Sequence, residues 1–273
     1  MIDVDTVGKT AFVIAYMRLV ETERLLPLSF DPIAHALLGE EGIALAAPVA
    51  ETSPVTVDLV AARTRWFDDR VVAALAAGCG QVVLLGAGLD ARSLRIGGAT
   101  YWEVDRADVL AWKARRLAAA GFDWPARRVA CDYTAAPFVD ELVAAGLDPT
   151  RRSLVLWEGN SMYIPLDRIA HLLSTLRERL PRASVAFDYL PGAIARGEAA
   201  GTERLTGAFS DLGAPWITGI DDLARLAKDT GYVVRDEAVF AELLGELRPH
   251  RALDPELAGT YSGCMLVPST GDA

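Results

Sequence analysis

The feature that most constrains the fold is an alternation of short apolar runs with amphipathic helical segments, which begins near residue 81. Each run is too short for a buried helix, which favours strands that are buried on both faces. The runs span Gln81–Leu85, Thr100–Val104, Arg127–Ala130, Ser153–Trp157 and Ala183–Phe187. Helical patterns such as Ala107–Ala119 and Pro165–Leu180 separate them. Strands that alternate with helices predict an α/β fold with a mostly parallel sheet and right-handed crossovers.

Two more strand-like segments near the C-terminus complete the predicted sheet. Tyr232–Val239 and Tyr261–Val267 follow a predicted helix over Asp221–Thr230. We therefore expect a seven-stranded, mostly parallel sheet that ends in an antiparallel hairpin. At the other end of the chain, apolar residues at helical spacing predict a helix over residues 1–30. Asp31-Pro32 and Thr52-Ser53-Pro54 each predict the start of a further helix.

The net charge of −10 over 273 residues excludes several classes of partner. An acidic chain lacks the basic face of nucleic-acid-binding proteins and is repelled by anionic membrane surfaces. Cys79, Cys131 and Cys264 form neither a disulfide framework nor a metal-ligand spacing. The sequence shows no signal-peptide pattern and no run of 18 apolar residues. We expect a cytoplasmic protein that binds neither nucleic acid nor a membrane and that holds no metal.

A glycine turn follows the first predicted strand. Gly86-Ala87-Gly88 lies between this strand and the segment Leu89-Asp90-Ala91-Arg92. Glycines at such a position let the backbone turn tightly and let a ligand approach it closely. A Gly-x-Gly pattern occurs in dinucleotide enzymes, in methyltransferases and in ordinary turns, so alone it does not define the ligand.

Acidic residues follow the next predicted strands, at the edge of the sheet where ligands bind in open α/β folds. Asp105 lies 17 residues after Gly88, a spacing that suits hydrogen bonds to both ribose hydroxyls of a nucleoside. It also precedes a helix, so an N-cap is the alternative. Asp132-Tyr133 would meet an adenine ring, and Glu158 ends the fourth strand at the same edge.

Arg63 and Arg65 are the basic residues that we consider for a ligand carboxylate. An arginine fork binds a carboxylate with two hydrogen bonds, which an amino-acid cofactor requires. The alternative is a helix with a solvated charged face. The three histidines, His35, His171 and His250, have no carboxylate or serine partner in the sequence pattern. We therefore predict no catalytic triad and no general base.

Taken together, these motifs resemble the leucine carboxyl methyltransferase family, in its bacterial secondary-metabolism branch. The resemblance runs from Val7 to about residue 267. It rests on Val7-Gly8-Lys9-Thr10-Ala11, Asp31-Pro32, Ala62-Arg63-Thr64-Arg65, the turn Gly86–Arg92, Glu103-Val104-Asp105 and the segment Trp157–Pro165. The segment Gly213–Ile220 is similar to members that methylate carboxyl groups of aromatic polyketides in antibiotic biosynthesis.

The resemblance implies a Rossmann-like class I methyltransferase fold and S-adenosylmethionine as cofactor. By position, Arg63 would hold the cofactor's carboxylate, and Lys9 or Arg18 would assist. The turn Gly86-Ala87-Gly88 would flank its methionine part, and Asp105 would hold its ribose. Asp132 with Tyr133 would meet the adenine edge, and further cofactor contacts would come from Arg106 and Glu158. The implied division is one domain with a helical cap (1–78), a cofactor-binding core (79–190), a helical insert or lid (191–220) and a C-terminal part (221–273).

The implied reaction is O-methylation of a carboxylate on a small-molecule acceptor. A carboxyl group is already ionised at pH 7 and needs no general base, whereas a phenol does. Tyr163 and Trp216 would position a flat acceptor, with Phe209 and Trp66 as further aromatic candidates. Three alternatives stay open: methylation of a phenol or enol, cofactor binding without methyl transfer as in a cyclase-like protein, and an NAD-dependent reductase. The oligomeric state is open, with a homodimer under consideration.

Overall fold

The computed structural model describes residues 8–51, 54–135, 137–199, 202–211, 213–250 and 261–269, without the side chains of 54, 55, 203–205 and 208. Seven strands form one sheet in the order β3-β2-β1-β4-β5-β7-β6. They span Gln81–Leu85 (β1), Thr100–Asp105 (β2), Arg127–Ala130 (β3), Ser153–Trp157 (β4), Ala183–Tyr189 (β5), Tyr232–Val239 (β6) and Ser262–Pro268 (β7). Strands β1 to β5 pair in parallel, and β7 is antiparallel to both β5 and β6. The predicted seven-stranded sheet is therefore confirmed.

Helices cover both faces of the sheet, because the central strands are apolar on both sides. Val83 and Leu85 of β1 belong to one buried cluster, whereas Val82 and Leu84 belong to the cluster on the opposite face. The helices after β1 are Arg92–Arg95 (α4), Ala107–Ala119 (α5), Phe138–Ala144 (α6), Leu166–Arg179 (α7), Gly192–Ala195 (α8), Glu203–Asp211 (α9), Leu223–Asp229 (α10) and Phe240–Leu247 (α11).

Three helices precede the sheet, namely Lys9–Thr22 (α1), Ala34–Glu51 (α2) and Pro54–Ala76 (α3). The prediction of a helix up to residue 30 is wrong at its C-terminal end, and residues 1–7 lie outside the described part. The helix start predicted at Asp31-Pro32 lies close to the observed start of α2 at Ala34. Just before α2, the carboxylate of Asp31 accepts the backbone N–H of Ile33 at 3.2 Å. Thr52 and Ser53 lie outside the described residues. Helix α2 is broken at Gly39, where φ is +63°.

The cap formed by α1 and α2 packs on the segment that follows β1. Phe12 of α1 meets Trp112 of α5 edge-to-face, with ring centroids 5.3 Å apart. Both rings belong to a buried cluster that also contains Leu89 and Ala91. This packing places the buried side of α1 beside the glycine turn.

The C-terminal strands pair as predicted, but they are not joined by a simple turn. Helix α11 follows β6 directly, because Phe240, Ala241 and Leu244 form an apolar face at helical spacing. That face packs against α3, where the ring centroids of Phe240 and Trp66 are 6.1 Å apart. The sequence interpretation missed this helix between the two strands.

The predicted insert contains α8 and α9, followed by an extended segment that returns to the sheet. In this segment the N–H of Ile217 donates to the carbonyl of Met162 at 2.9 Å. The N–H of Ile220 donates to the carbonyl of Leu190 at 2.8 Å. These bonds fix the segment around Trp216 above the ends of β4 and β5.

Among the described residues, no single helix has the length and apolarity to cross a bilayer. Helices α2 and α3 meet both criteria only when they are taken as a pair, and their axes are bent by 112° relative to each other. The same part of the chain contains no cluster of metal-ligating side chains.

Candidate active site

A cavity of about 580 Å³ lies beyond the carboxyl ends of β1, β2, β3 and β4. Its walls come from the turn after β1, from α1 and α3, and from the insert residues Phe209 and Trp216. The strand order reverses direction between β1 and β4, which is where open α/β sheets bind ligands. The volume is that of a site for a small molecule.

The glycine turn forms the floor of this cavity. Gly86 has φ of +63°, and a Cβ there would lie 2.7 Å from Oδ1 of Asn160. Gly88 has φ of +47°, and a Cβ there would enter the gap toward Ala11, 3.7 Å from its Cβ. A Cβ is therefore sterically excluded at Gly86 and disfavoured at Gly88 by its positive φ, and the backbone between them, including Ala87, faces the cavity. From behind, Lys113 donates to the carbonyl of Asp90 and fixes the end of the turn.

Asp105 is tied to this turn by its carboxylate. Its Oδ2 accepts the N–H of Gly88 and its Oδ1 accepts the N–H of Arg106, both at 2.7 Å. Burial raises the pKa of Asp105, against the lowering effect of these two bonds. The N-cap of α5 is Arg106, so the N-cap alternative for Asp105 does not describe its contacts. The exposed guanidinium of Arg106 forms a bidentate pair with Asp108 at 2.7 and 3.1 Å.

Asp132 and Tyr133 line the cavity at the end of β3. Asp132 accepts the backbone N–H of Thr134 at 2.8 Å and its hydroxyl at 2.7 Å, which lowers the pKa of its carboxyl. Tyr133 packs edge-to-face on Trp157, with ring centroids 6.3 Å apart. The two side chains thus present a carboxylate and an aromatic face side by side.

Arg63 lies at the centre of a buried charge cluster. Its Nε is 2.8 Å from Oε1 of Glu158, without the alignment of a hydrogen bond, so this contact is an ion pair. Its Nη1 donates to the hydroxyl of Tyr261 at 2.7 Å and lies 3.5 Å from Oδ2 of Asp188. Arg92 holds the other oxygen of Glu158 at 2.5 Å. Within the described residues, Nη2 of Arg63 is the guanidinium nitrogen that these contacts leave for a ligand.

Asp188 is the acid of this cluster that the sequence interpretation did not assign. It follows Phe187 in β5, accepts the N–H of Gly159 at 2.7 Å, and accepts the hydroxyl proton of Tyr261. Burial raises the pKa of Asp188 to about 6, although Arg63 acts in the opposite direction. The sequence did contain a signal for Asp188, because this acidic residue directly follows the apolar run Ala183–Phe187. Acidic residues follow other predicted strands in the same way. Tyr261 carried no such signal.

The basic residues near the cap have different positions. Arg18 is buried and lines the cavity, with Nη2 donating to the carbonyl of Leu89 at 2.7 Å and Nε bonded to Asp31 at 3.1 Å. Lys9 is exposed and is not among the lining residues. Arg65 is also exposed and pairs with Asp69 at 2.9 Å, as expected of a solvated helix face.

The opposite end of the cavity is aromatic. Phe209 and Trp216 pack with ring centroids 4.8 Å apart and planes inclined by 32°. The indole N–H of Trp216 donates to the hydroxyl of Tyr163 at 3.4 Å. Burial raises the pKa of Tyr163 to about 12, so this hydroxyl stays protonated. Trp66, in contrast, is buried in the core between Phe67 and Phe240 and does not line the cavity.

Comparison with known proteins identifies the family. The family model for leucine carboxyl methyltransferase matches residues 11–177. A predicted S-adenosyl-L-methionine-dependent methyltransferase of Parafrankia sp. (strain EAN1pec) is 34% identical over 229 residues, covering 79% of this chain and 73% of that protein. The chain belongs to the leucine carboxyl methyltransferase family. S-adenosylmethionine is its cofactor, and the nicotinamide alternative is set aside.

Solved structures support the fold of this family member. A DUF574 family protein from Streptomyces avermitilis superposes with a TM-score of 0.60 at 16% identity, covering 95% of this chain and 97% of that one. A magnesium protoporphyrin IX methyltransferase from Synechocystis, solved with S-adenosylmethionine bound, gives a TM-score of 0.51 at 12% identity, covering 88% and 99%. The class I methyltransferase fold is confirmed.

The cavity fits the cofactor of the family by its donors and acceptors. The space that a Cβ at Gly88 would fill lies along the turn, and Asp105 offers a carboxylate beside it. Asp132 and Tyr133 lie further along the same edge, and Nη2 of Arg63 is available beside Gly159. A nucleoside with an amino-acid chain needs this combination of ribose acceptor, aromatic face and cation.

Proposed function

We propose that this family member methylates a carboxylate on a flat small molecule, such as an aromatic polyketide in secondary metabolism. The aromatic wall of Phe209, Trp216 and Tyr163 over one end of the cavity is the observation that carries the proposal. Flat rings bind well between aromatic side chains, because offset and edge contacts add to the burial of apolar surface. The other end of the cavity holds the residues that suit the cofactor.

We assign the cofactor contacts to the residues that line the polar end. Arg63 and Arg18 supply positive charge near the glycine turn, Asp105 accepts hydrogen bonds from the ribose, and Asp132 with Tyr133 faces the adenine. Glu158 lies between Arg63 and Arg92 and keeps the guanidinium of Arg63 in place. When bound, S-adenosylmethionine supplies a methyl group on a positively charged sulfur.

A carboxylate acceptor suits the acceptor end because it is already ionised at neutral pH. Methyl transfer joins opposite charges, and an environment from which water is excluded favours their neutralisation. Met162, Leu190 and Trp216 line this end and exclude water. The residues then have two tasks, to align the acceptor with the methyl group and to keep solvent out.

The first experiment measures binding of S-adenosylhomocysteine by calorimetry and then methylation of a panel of aromatic carboxylic acids by mass spectrometry. We expect micromolar or tighter binding and methyl esters of flat aromatic acids. Trp216→Ala should raise KM for such an acid by about 5-fold or more, because truncating an aromatic contact that carries binding costs more than about 1 kcal/mol. The same variant should leave binding of S-adenosylhomocysteine unchanged.

Phe122→Ala serves as the matched control, since Phe122 is an exposed aromatic residue that does not line the cavity. It should alter neither KM nor cofactor binding. Binding of S-adenosylhomocysteine without methylation of any acid in the panel would reject the proposed acceptor class.

A further inference from the structure

The hydroxyl of Tyr261 lies between a cation and a buried carboxylate at the wall of the cavity. It accepts a hydrogen bond from Nη1 of Arg63 at 2.7 Å and donates its own proton to Oδ2 of Asp188. Asp188 is fully buried, and its second oxygen accepts the N–H of Gly159 at 2.7 Å. The Arg63 contact and the donation to Asp188 give the tyrosine hydroxyl a fixed orientation.

Tyr261 still has capacity for one more hydrogen bond. A hydroxyl group has one proton to donate and two lone pairs. Asp188 takes the proton and Arg63 takes one lone pair, so the second lone pair is left for a donor from the cavity. Tyr261 lines the cavity and packs in the same apolar cluster as Met162, Leu190 and Trp216, which form the acceptor end.

We propose that Tyr261 and Asp188 accept the proton of an acceptor hydroxyl, so that the site methylates phenols or enols as well as carboxylates. This inference rests on the proposed O-methyltransferase function and extends its acceptor class. The acceptor hydroxyl donates to the free lone pair of Tyr261, and Asp188 is the final proton acceptor. Sequence reasoning found no base, because Asp188 and Tyr261 meet only in the folded chain.

The proton balance of the step is complete. The O–H bond of the acceptor breaks and its proton passes to the oxygen of Tyr261, while the proton of Tyr261 passes to Oδ2 of Asp188. The acceptor oxygen forms its bond to the methyl carbon, and the electron pair of the sulfur–carbon bond stays on sulfur. Asp188 releases its proton to solvent after the product leaves. Tyr261 gains one proton as it loses another, so no tyrosinate accumulates. This agrees with its pKa, which burial holds well above the usual range.

Burial makes Asp188 a stronger base than an exposed aspartate. Burial raises its pKa to about 6, Arg63 acts against this effect, and Glu158 adds to it. The titratable and charged groups that face Asp188 come from α3, the loop after β4, and β7 with the residue before it; they are Arg63, Glu158, Tyr163, Tyr261 and Cys264. Asp188 is therefore ionised at pH 7 to 8 and able to take a proton there.

The test uses two acceptors that differ only in the reacting group, 2-naphthoic acid and 2-naphthol. We expect the wild-type protein to methylate both. Tyr261→Phe and Asp188→Asn should each lower kcat for 2-naphthol by about 100-fold or more, the usual contribution of a general base. The rate with 2-naphthoic acid should fall by a much smaller factor, since a carboxylate has no proton to lose. The readout is therefore the ratio of the two rates, which should fall by about 10-fold or more in both variants. In the wild type, the rate with 2-naphthol should rise with pH through about 6, whereas that with 2-naphthoic acid should not.

Tyr189→Phe is the matched control. Tyr189 also donates its hydroxyl proton to a carboxylate, that of Glu237, but it does not line the cavity. This variant should leave the rates with both acceptors unchanged. Equal losses with both acceptors in Tyr261→Phe would show a structural role and overturn the proposal.

A second readout is independent of turnover. We would titrate 4-nitrophenol into the complex with S-adenosylhomocysteine and follow the absorbance of its ionised form. The wild type should bind it with an increased ionised fraction, and Tyr261→Phe should abolish that increase. Absence of ionised 4-nitrophenol in the wild-type complex overturns the proton-accepting pair, even if aromatic acids are methylated. Failure to methylate any acid, with ionised 4-nitrophenol present, rejects only the proposed carboxylate acceptor.

Discussion

At the scale of single residues, Asp105 connects the end of β2 to the glycine turn and lines the end of the cavity that we propose for the cofactor. Asp105→Asn keeps the shape of the side chain but removes the charge and one acceptor. Hydrogen bonds to charged groups contribute about 1.5–3 kcal/mol each. We therefore expect the affinity for S-adenosylhomocysteine to fall by about 10- to 100-fold, as measured by calorimetry.

The control for Asp105 is Asp140→Asn, since Asp140 is an exposed aspartate that pairs with Arg179 far from the cavity. Affinity should be unchanged in this variant, because exposed ion pairs contribute little. If Asp105→Asn binds S-adenosylhomocysteine as tightly as the wild type, Asp105 is not the ribose acceptor.

Arg18 and Lys9 were equal candidates for the second basic residue in the sequence, and the structure separates them. Arg18 reaches the carbonyl of Leu89 from α1 and lines the cavity, whereas Lys9 is exposed on the same helix. Arg18→Gln should weaken binding of S-adenosylhomocysteine by about 10-fold, because it removes a hydrogen bond between charged groups, which contributes about 1.5 kcal/mol or more. Lys9→Gln should weaken binding by less than about 2-fold, because Lys9 does not line the cavity. Greater loss in Lys9→Gln would contradict the placement of the cofactor's carboxylate near Arg18. Circular dichroism would establish that Arg18→Gln is folded, since Asp31 loses its buried partner.

At the scale of elements, the turn between β1 and α4 depends on glycine for two separate reasons. Both Gly86 and Gly78 have positive φ, but only Gly86 has another side chain within 3 Å of the position of a Cβ. Gly78→Ala should cost only the conformational term of about 1–2 kcal/mol and leave binding of S-adenosylhomocysteine intact. Gly86→Ala also displaces Asn160, whose amide donates to the carbonyl of Glu158 at 2.6 Å, so binding should weaken as well.

Urea denaturation and calorimetry on the two glycine variants measure both effects. Equal affinity for S-adenosylhomocysteine in Gly86→Ala and Gly78→Ala would show that the turn tolerates a side chain at the cavity floor.

Most elements could be predicted because their signals are local. The run Gln81–Leu85 and the amphipathic segment Ala107–Ala119 match the observed β1 and α5 at both ends. Helix α11 was not predicted, because Phe240 directly follows the apolar end of β6. The apolar face of α11 can be recognised only in the folded chain, where Phe240 packs against Trp66. The end of α1 was misplaced, because the apolar residues Leu25, Leu26 and Phe30 continue the pattern but are exposed in the folded chain.

At the scale of the whole molecule, the site combines residues that are far apart in sequence. The glycine turn and the acids at the strand ends were predictable, since parallel strands bring their carboxyl ends to one edge. Two partners of Arg63, Asp188 and Tyr261, were not predictable. They lie 125 and 198 residues away from it and reach it only through the pairing of β5 with β7. The expected absence of a base was an inference from local motifs, which carry no information on such contacts.

The raised pKa of Asp188 gives a last prediction, which concerns the stability of the whole chain. An aspartate in the unfolded chain titrates near 3.9, and Asp188 in the folded chain near 6. Between these values the folded state binds the extra proton, so stability from Asp188 declines as pH rises from about 4 to about 6. Above that range the contribution is constant.

Asp188→Asn keeps a neutral side chain at every pH and removes this dependence. Urea denaturation of both proteins between pH 4 and 8 should therefore show the wild type losing stability relative to the variant as pH rises to about 6, with a constant difference beyond it. The carboxylates whose pKa values are lowered, such as Asp68 and Asp90, lose their contribution as pH falls, but they are present in both proteins and cancel in the difference. A difference that does not change with pH would mean that Arg63 offsets the effect of burial, so that the pKa of Asp188 is the same in the folded and unfolded chain. The carboxyl would then be too weak a base to accept a proton from an acceptor hydroxyl, so the same titration also bears on the chemistry of the cavity.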